Sequence, residues 1–231
     1  MITAVIVAAG MGTRMNLGYN KQFLKILNKE VIAYTIEAFE NTKEVDNIVL
    51  VSSKNEIDLF KDIVSRYGFK KVIKIVEGGS SRQESVYNGL LQCEKCDIVL
   101  IHDGARPFIR ENIIKESIKE VKVKNSVAVG VKVKDTVKKV CKMEYTSTLN
   151  REELYCVQTP QVFKYELILK AHENALEKGY IGTDDTSLIE FLGEKVYIVN
   201  GDYFNIKITT KEDIYIGEGI VKALKEERQW E

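Results

Sequence analysis

The chain is 231 residues long, and its 34 Lys and Arg side chains balance its 34 Asp and Glu side chains. This neutrality argues against wrapping long nucleic acid, which favours an excess of positive charge. Four cysteines are too few for a disulfide scaffold. The sequence predicts no targeting segment and no membrane span, so we expect a cytoplasmic protein with neither a nucleic-acid nor a membrane partner.

Short apolar, β-branched runs alternate with segments of helical periodicity along the chain. The predicted strands are residues 3–7, 47–52, 72–76, 97–102, 127–133 and 196–200, and the predicted helices are residues 31–40, 56–67, 81–92 and 112–121. Consecutive apolar residues, as at 98–101, are typical of strands covered on both faces. The alternation predicts an α/β fold of one domain over residues 1–231, a Rossmann-like three-layer sandwich whose doubly wound sheet is mostly parallel.

The first predicted strand leads directly into a glycine loop at the carboxyl edge of the sheet, where open α/β folds bind ligands. The loop contains Ala8, Ala9, Gly10 and Gly12. Its backbone N–H groups are suited to phosphate oxygens. Met15 occupies the third position of a dinucleotide fingerprint, which requires a small residue. Arg14 and Lys21 follow in a polar stretch, and two cations here favour the tail of a nucleoside triphosphate.

A second glycine turn precedes the helix predicted at 81–92. Ser81 or Ser80 is suited to cap that helix, and Glu84 is placed to complete a capping box from Ser81. Near the end of the helix, Cys93 and Cys96 have CxxC spacing, but no second pair accompanies them in the sequence. We therefore interpret them as free thiols and not as zinc ligands.

The strand predicted at 97–102 ends in the motif His102-Asp103-Gly104-Ala105-Arg106. A carboxylate at this edge can hold Mg²⁺ or a ribose hydroxyl, and a nearby arginine can pair with phosphate. The alternative is an Asp–Arg pair that braces a tight turn. We favour the functional interpretation.

Residues 132–157 break the strand–helix rhythm. Alternating Val and Lys residues predict a two-stranded ribbon with one solvated face. An isolated ribbon is marginally stable in water and needs a packing partner. It is either a surface hairpin on its own domain or an arm that binds a partner, and we favour the arm.

Two later segments read as helix starts. Residues 183–186 place Asp184 and Asp185 at a helix N-terminus, where the helix dipole favours them; a second metal site is the alternative. Thr209 or Thr210 is expected to cap the last helix.

The pattern Ala-Ala-Gly-x-Gly-x-Arg-Met, followed by Lys21 and Gln22, resembles the cytidylyltransferase family that acts on 2-C-methyl-D-erythritol 4-phosphate (MEP). The resemblance runs from Val5 to about Lys207, with the motifs in the family's order. It implies transfer of CMP from CTP to MEP with release of pyrophosphate. It also implies Mg²⁺ bound mainly through the CTP phosphates, and a homodimer in which the ribbon reaches the partner. Asn20 and Lys211 stand where relatives often have Pro.

The resemblance assigns roles to residues of this chain. The catalytic residues it implies are Arg14, Lys21, Arg151 and Lys207. Those implied for nucleotide binding are Ala8, Ala9, Gly10, Gly12, Gly79, Ser80, Ser85, Asp103 and Gly104. Those implied for the polyol phosphate are Asp103, Arg106, Thr136, Arg151, Thr159 and Lys207. Asp103 is the candidate metal ligand, His102 receives no catalytic role, and the ribbon residues Thr136 and Arg151 would serve the neighbouring subunit's site.

Two alternatives are weighed against this interpretation. A sister family that transfers CMP to ribitol 5-phosphate shares several of these motifs, and Gly104-Ala105 after Asp103 favours MEP. An NAD(P)-dependent oxidoreductase is disfavoured by Met15 and by the paired cations Arg14 and Lys21.

Overall fold

A computed structural model describes residues 1–10 and 20–227 of the chain. The strands in these ranges are β1 (Ile2–Val7), β2 (Lys25–Ile26), β3 (Lys29–Glu30), β4 (Asn47–Ser52), β5 (Val72–Glu77), β6 (Ile98–Asp103), β7 (Ser126–Lys132), β8 (Lys138–Cys141), β9 (Glu144–Thr148), β10 (Tyr155–Lys164) and β11 (Tyr197–Asn200). The helices are α1 (Val31–Asn41), α2 (Ile57–Tyr67), α3 (Arg82–Leu90), α4 (Glu111–Lys124), α5 (Tyr165–Glu177), α6 (Asp185–Phe191) and α7 (Glu212–Glu227).

The central sheet has seven strands in the order β11-β7-β10-β6-β1-β4-β5. Neighbouring strands are parallel except at β10, which runs antiparallel to both β6 and β7. The chain passes from β1 to β4 on one side, and β6 later pairs with β1 on the other side. Strand order therefore reverses at β1, and such a reversal opens a crevice at the carboxyl ends of the strands.

Helices cover both faces of this sheet. On one face α1, α2 and α4 pack against side chains that include Ala4 and Ile6 of β1. On the other face α3, α5 and α6 pack against Val5 of the same strand. Successive side chains of a strand point to opposite faces, so β1 is buried on both sides. This arrangement confirms the predicted three-layer α/β fold with a mostly parallel sheet.

For every strand predicted outside the ribbon, both predicted ends lie within one residue of the ends of an observed strand. β10 was not predicted; only its first residues were assigned, to the returning strand of the ribbon. The polar run Gln158-Thr159-Pro160 interrupts the apolar pattern there, and the register with β7 shifts between Val157 and Gln161. A proline lacks the N–H that a regular ladder needs, so it is tolerated at such an irregularity. The helix α5 and the β2–β3 hairpin were also absent from the predicted elements.

The predicted ribbon is present as β8 and β9, which form a two-stranded antiparallel sheet separate from the central one. All residues of both strands are exposed. The ribbon follows β7 and precedes β10, so it extends from the two sheet strands that pair with each other.

Candidate active site

The carboxyl ends of β1 and β6, together with the start of α3, form a cavity of about 480 Å³. Among the predicted site residues, those that line it are Ala9, Gly10, Lys21, Gly79, Ser80, Ser85, Asp103 and Lys207. Gly12 and Arg14 lie outside the described residues. The cavity is thus built where the strand order reverses, as expected for a ligand site in an open α/β sheet.

Lys21 begins a short 3-10 turn, Lys21–Phe23, that is held in place by Asn20. The Asn20 side chain accepts a hydrogen bond from the backbone N–H of Gln22, and its amide donates to the carbonyl of Ala8 at 3.1 Å. The same amide donates to a carboxylate oxygen of Glu56 at 2.8 Å. Asn20 is 2% exposed. The turn that carries Lys21 is therefore fastened to the end of β1, beside the glycine loop.

The second glycine turn packs against the first loop. A Cβ atom at Gly78 would lie 2.7 Å from the Cβ of Ala9, and one at Gly79 would overlap the side chain of Glu84. The Ser85 hydroxyl accepts from the N–H of Gly79 at 3.0 Å and donates to the carbonyl of Ser81 at 2.8 Å. The turn is therefore narrow and rigid, and it leaves room beside it for a ligand.

The cap of α3 differs in one detail from the prediction. The Ser81 side chain accepts from the N–H of Glu84, which confirms Ser81 as the N-cap. The Glu84 carboxylate, however, accepts from the N–H and the hydroxyl of Ser80, at 2.7 and 2.6 Å. These bonds tie the exposed Ser80 to the first turn of α3 and lower the pKa of Glu84.

Asp103 ends β6 and is surrounded by cations. One carboxylate oxygen lies 3.2 Å from Nε of Arg82, and the other lies 2.7 Å from Nζ of Lys207 and 3.8 Å from Nε of Arg106. Burial opposes ionisation of this carboxyl, but the charges of Arg82, Lys207 and Arg106 outweigh it and hold the pKa of Asp103 well below its usual range. Asp103 is therefore a charged group at neutral pH, within a cavity of net positive charge.

His102 lies behind Asp103, and its two ring nitrogens are in hydrogen bonds. Nε2 lies 3.1 Å from the carbonyl of Arg106 and must donate to it, so Nδ1 accepts from the hydroxyl of Thr159 at 3.1 Å. The Thr159 oxygen accepts in turn from the N–H of Asp103. Burial lowers the pKa of His102 to about 4. A neutral His102 and the buried Thr159 thus fix the backbone of Asp103.

The segment before Lys207 is anchored to the same strands. Asn205 is fully buried, and its amide donates to the carbonyl of Thr159 at 2.8 Å. Nη1 of Arg106 donates to the carbonyl of Asn205, also at 2.8 Å. On the far side of Lys207, the N–H of Ile208 donates to the carbonyl of Ala105. These bonds bring Lys207 to Asp103 across 104 residues of sequence.

Several predicted site residues do not line the cavity. Ala8, Gly104, Arg106 and Thr159 lie behind its wall, where a Cβ at Gly104 would approach the Cδ1 of Ile32 to 2.9 Å. Thr136 and Arg151 are exposed near the ribbon, and Nη1 of Arg151 donates to the carbonyl of Lys134. The chain's own cavity therefore does not include the two ribbon residues.

Sequence reasoning missed Arg82, which lines the cavity and contacts Asp103. A cation at the first position of a helix that follows a glycine turn was the available signal.

At the last helix, Asp213 accepts from the N–H groups of Thr209 and Thr210 and from the Thr209 hydroxyl. The Thr209 hydroxyl therefore donates a hydrogen bond to Asp213. The sequence predicted a helix cap here, and a capping hydroxyl would accept from a backbone N–H.

No metal centre is built by side chains alone in the described part of the chain, which contains no group of three or more His, Cys, Asp or Glu residues able to hold an ion.

Asp184 caps α6 with a capping box, which confirms the predicted helix start, and Asp185 pairs with Arg82. Cys93 and Cys96 are buried free thiols, as predicted. Over residues 1–10 and 20–227 no helix is long and apolar enough to cross a membrane.

Two glycine turns and a cluster of cations converge on one cavity at the carboxyl edge of a doubly wound sheet. These features define an α/β enzyme that binds a phosphorylated nucleotide. The family model described as IspD, 2-C-methyl-D-erythritol 4-phosphate cytidylyltransferase, matches residues 2–223. The chain belongs to this family of nucleotidyltransferases.

Individual relatives agree with the family match. The chain is 51% identical to the 2-C-methyl-D-erythritol 4-phosphate cytidylyltransferase of Clostridioides difficile, over 97% of this chain and 95% of that one. It is 50% identical to the enzyme of the same name from Clostridium novyi, over 96% and 97%. Among solved structures, the 4-diphosphocytidyl-2C-methyl-D-erythritol synthase of Anaerococcus prevotii superposes with a TM-score of 0.87 at 35% identity, covering 96% of each chain. These matches confirm the family resemblance and favour neither the ribitol 5-phosphate nor the oxidoreductase alternative.

Proposed function

We propose that this chain transfers CMP from CTP to MEP and releases pyrophosphate, giving 4-diphosphocytidyl-2-C-methyl-D-erythritol. The observation that carries the proposal is the arrangement of Lys21, Asp103 and Lys207 around one cavity beside two glycine turns. In a chain of the MEP cytidylyltransferase family, this cavity has the charge and the position that the reaction needs.

The reaction forms a bond between an oxygen of the MEP phosphate and the α-phosphorus of CTP. The bond from that phosphorus to the β-phosphate oxygen breaks, and the electron pair leaves with pyrophosphate. The attacking phosphate is largely ionised near neutral pH because its second pKa is about 6. No catalytic base is required, which agrees with a His102 whose ring nitrogens are both in hydrogen bonds. The difficulty is the approach of two anions, so the protein must supply positive charge and alignment.

The cations divide this work between the two substrates. Lys21, with Arg14 from the same polar segment, stabilises the α-phosphate and the departing pyrophosphate. Lys207 aims the MEP phosphate, together with Arg151 of the ribbon. Removing one such contact to the developing charge typically costs about 3–4 kcal/mol of transition-state stabilisation. The turn at Gly79, Ser80 and Ser85 receives the cytosine base.

Other roles follow from position in the site. Asp103, at the end of β6, binds the nucleotide, and Ala9, Gly10 and Gly12 wrap its phosphates. Ala8 and Gly104, which lie behind the cavity wall, contribute to nucleotide binding by shaping the backbone of that wall. Arg106, Thr136 and Thr159 contribute to the polyol phosphate site. For the two that lie behind the cavity wall, Arg106 and Thr159, this contribution includes holding Asp103 and Lys207 in place.

The residues of this cavity would hold Mg²⁺ together with the triphosphate. Asp103 is the carboxylate that reaches the cavity from the described residues, and it already pairs with Arg82 and Lys207. One carboxylate suits an ion held mainly by phosphate oxygens and water. When bound, the ion neutralises part of the triphosphate charge, and Asp103 is its candidate protein ligand.

The ribbon supports a homodimer. Met143 and Tyr145 are apolar side chains at or beside its strands, 93% and 77% exposed, and an isolated ribbon gains stability by packing. Thr136 and Arg151 lie outside the chain's own cavity, so in a dimer they would complete the neighbouring subunit's site. The buried free thiols of Cys93 and Cys96 suit a reducing compartment, and we place the enzyme in the cytoplasm.

A pyrophosphate-release assay tests the acceptor. The purified chain is supplied with CTP, Mg²⁺ and either MEP or ribitol 5-phosphate at equal concentration. The proposal requires faster release with MEP. Faster release with ribitol 5-phosphate would assign the chain to the other acceptor, and release with neither would reject cytidylyl transfer.

A further inference from the structure

A buried carboxylate outside the cavity is connected to the cavity through Arg82. Asp185, in the first turn of α6, is 1% exposed and does not line the cavity in the described structure. One of its carboxylate oxygens lies 2.8 Å from Nη1 of Arg82. Nε of the same guanidinium lies 3.2 Å from Asp103. Arg82 therefore bridges a carboxylate in the cavity wall and a carboxylate in the core.

Asp185 is fixed on several sides. Its N–H donates to the side-chain carbonyl of Gln161 on β10 at 3.0 Å. Its second carboxylate oxygen lies 3.6 Å from Nε2 of His172 on α5, whose ring stacks on Tyr87 of α3. Asp185 thus lies in α6 where this helix meets α3, α5 and the central strand β10, in a close-packed part of the protein.

The charge balance explains why this carboxylate is tolerated in the core. Burial disfavours the charged form of Asp185, but the pairing with Arg82 and His172 outweighs it and lowers its pKa. A buried charge is retained in proteins when it is paired and hydrogen-bonded. The planar guanidinium of Arg82 supplies the opposite charge with one arm and contacts Asp103 with another, a geometry that a lysine ammonium cannot reproduce.

The second partner of Asp103 is Lys207, the residue assigned to the MEP phosphate. When Lys207 turns to a phosphate, Asp103 loses its 2.7 Å contact and keeps two cations, Arg82 at 3.2 Å and Arg106 at 3.8 Å, of which Arg82 is the nearer. We propose that Arg82, fixed by Asp185, is a positioning residue that holds the Asp103 carboxylate in the cavity wall while Lys207 binds the substrate phosphate. This inference rests on the proposed function. Asp185 contributes through Arg82 and touches no substrate.

The test compares kcat for Asp185→Asn, Arg82→Gln and the double variant in the pyrophosphate-release assay with saturating CTP and MEP. Asp185→Asn keeps the shape of the side chain and removes its charge, and we expect kcat to fall about 10-fold because a small misplacement of a reacting group has effects of this order or larger. In the Arg82→Gln background the same change is expected to have no further effect. Asp58→Asn is the matched control: it makes the same substitution in the first turn of another helix, α2, at an exposed side chain that does not line the cavity, and should leave kcat within about 2-fold.

Arg82→Lys separates positioning from charge. It keeps a cation beside the cavity but cannot reach both carboxylates, so we expect kcat to stay at least about 5-fold below wild type. Full activity of Arg82→Lys would show that charge alone suffices and would overturn the inference. A normal kcat for Asp185→Asn would also overturn the inference. The same follows if Asp185→Asn lowers kcat equally in the wild-type and Arg82→Gln backgrounds, because equal losses would indicate a general effect on stability. All rates are compared below the lowest melting temperature of the set. A wild-type chain that releases no pyrophosphate would instead reject the proposed function, and the inference with it.

Discussion

The Asn20 side chain ties Lys21 to the end of β1, because its amide donates to the carbonyl of Ala8 at 3.1 Å while its oxygen accepts from the N–H of Gln22. Lys21 is thereby presented to the cavity from a buried turn and is itself only 8% exposed. A cation held in this way loses little entropy when it meets a phosphate, which is the advantage of a preorganised site.

Lys21→Ala should retain the fold and lose at least about 100-fold in kcat, because in the proposed function Lys21 is the cation that stabilises the developing charge of the α-phosphate and pyrophosphate. The measurement is steady-state pyrophosphate release, with circular dichroism to confirm folding. Lys25→Ala is the control, since Lys25 is an exposed lysine four residues further along the chain, with a distant ion pair to Glu30. Near-normal turnover of Lys21→Ala would reject the role assigned to Lys21.

Asn20 itself gives a second prediction. Asn20→Ala removes the three side-chain hydrogen bonds and should lower kcat about 10-fold by loosening the turn. Asn20→Pro removes the same bonds but fixes the backbone near φ −65°, close to the observed φ of −71°. We therefore expect Asn20→Pro to be faster than Asn20→Ala. The reverse order would show that fixing the backbone angle at this position does not help to position Lys21.

Burial of His102 predicts a pH dependence of stability. The pKa of His102 is lowered from 6.5 to about 4 in the folded protein, so as pH falls the unfolded chain takes up the proton first. Stability is then lost between pH about 6.5 and about 4 and is not changed further by this group at lower pH. The shift corresponds to about 3 kcal/mol.

Urea unfolding at pH about 7 and about 4 measures this effect, with His102→Gln as the comparison. The wild type should lose about 3 kcal/mol more than the variant over this interval, since glutamine does not titrate. Equal losses in the two proteins would mean that His102 is not buried in its neutral form.

The ribbon predicts that active sites are shared between subunits. Arg151→Ala and Lys207→Ala should each be nearly inactive alone, since in the proposed function each of these cations aims the MEP phosphate. A mixed dimer contains one Arg151→Ala chain and one Lys207→Ala chain. If Arg151 serves the neighbouring subunit, the cavity of the Arg151→Ala chain has its own intact Lys207 and receives an intact Arg151 from the partner's ribbon. Equal co-expression should then restore about a quarter of wild-type activity, because half of the dimers are mixed and each has one complete site. No recovery in verified mixed dimers would place Arg151 in its own chain's site or outside any site.

The sequence identified the parts of the fold and site whose signals are local. Apolar runs fixed the strands that became β1, β4 and β6, and motifs at their ends marked Asp103 and the glycine turns. The bridge from Asp103 through Arg82 to Asp185 joins segments about a hundred residues apart, and no local pattern records which charges meet. The sequence does not predict β10 because part of this buried strand is polar. Gln158 accepts a hydrogen bond from Asn205 inside the protein, and Thr159 is hydrogen-bonded to His102.

The most direct test of cytidylyl transfer is ³¹P NMR of the reaction of the purified chain with CTP, Mg²⁺ and MEP. We expect the MEP phosphate signal to be replaced by the two coupled signals of a diphosphate diester, with one pyrophosphate released for each MEP consumed. Pyrophosphate release without loss of the MEP signal would show that water, and not MEP, attacks the α-phosphate. That result would contradict the proposed function.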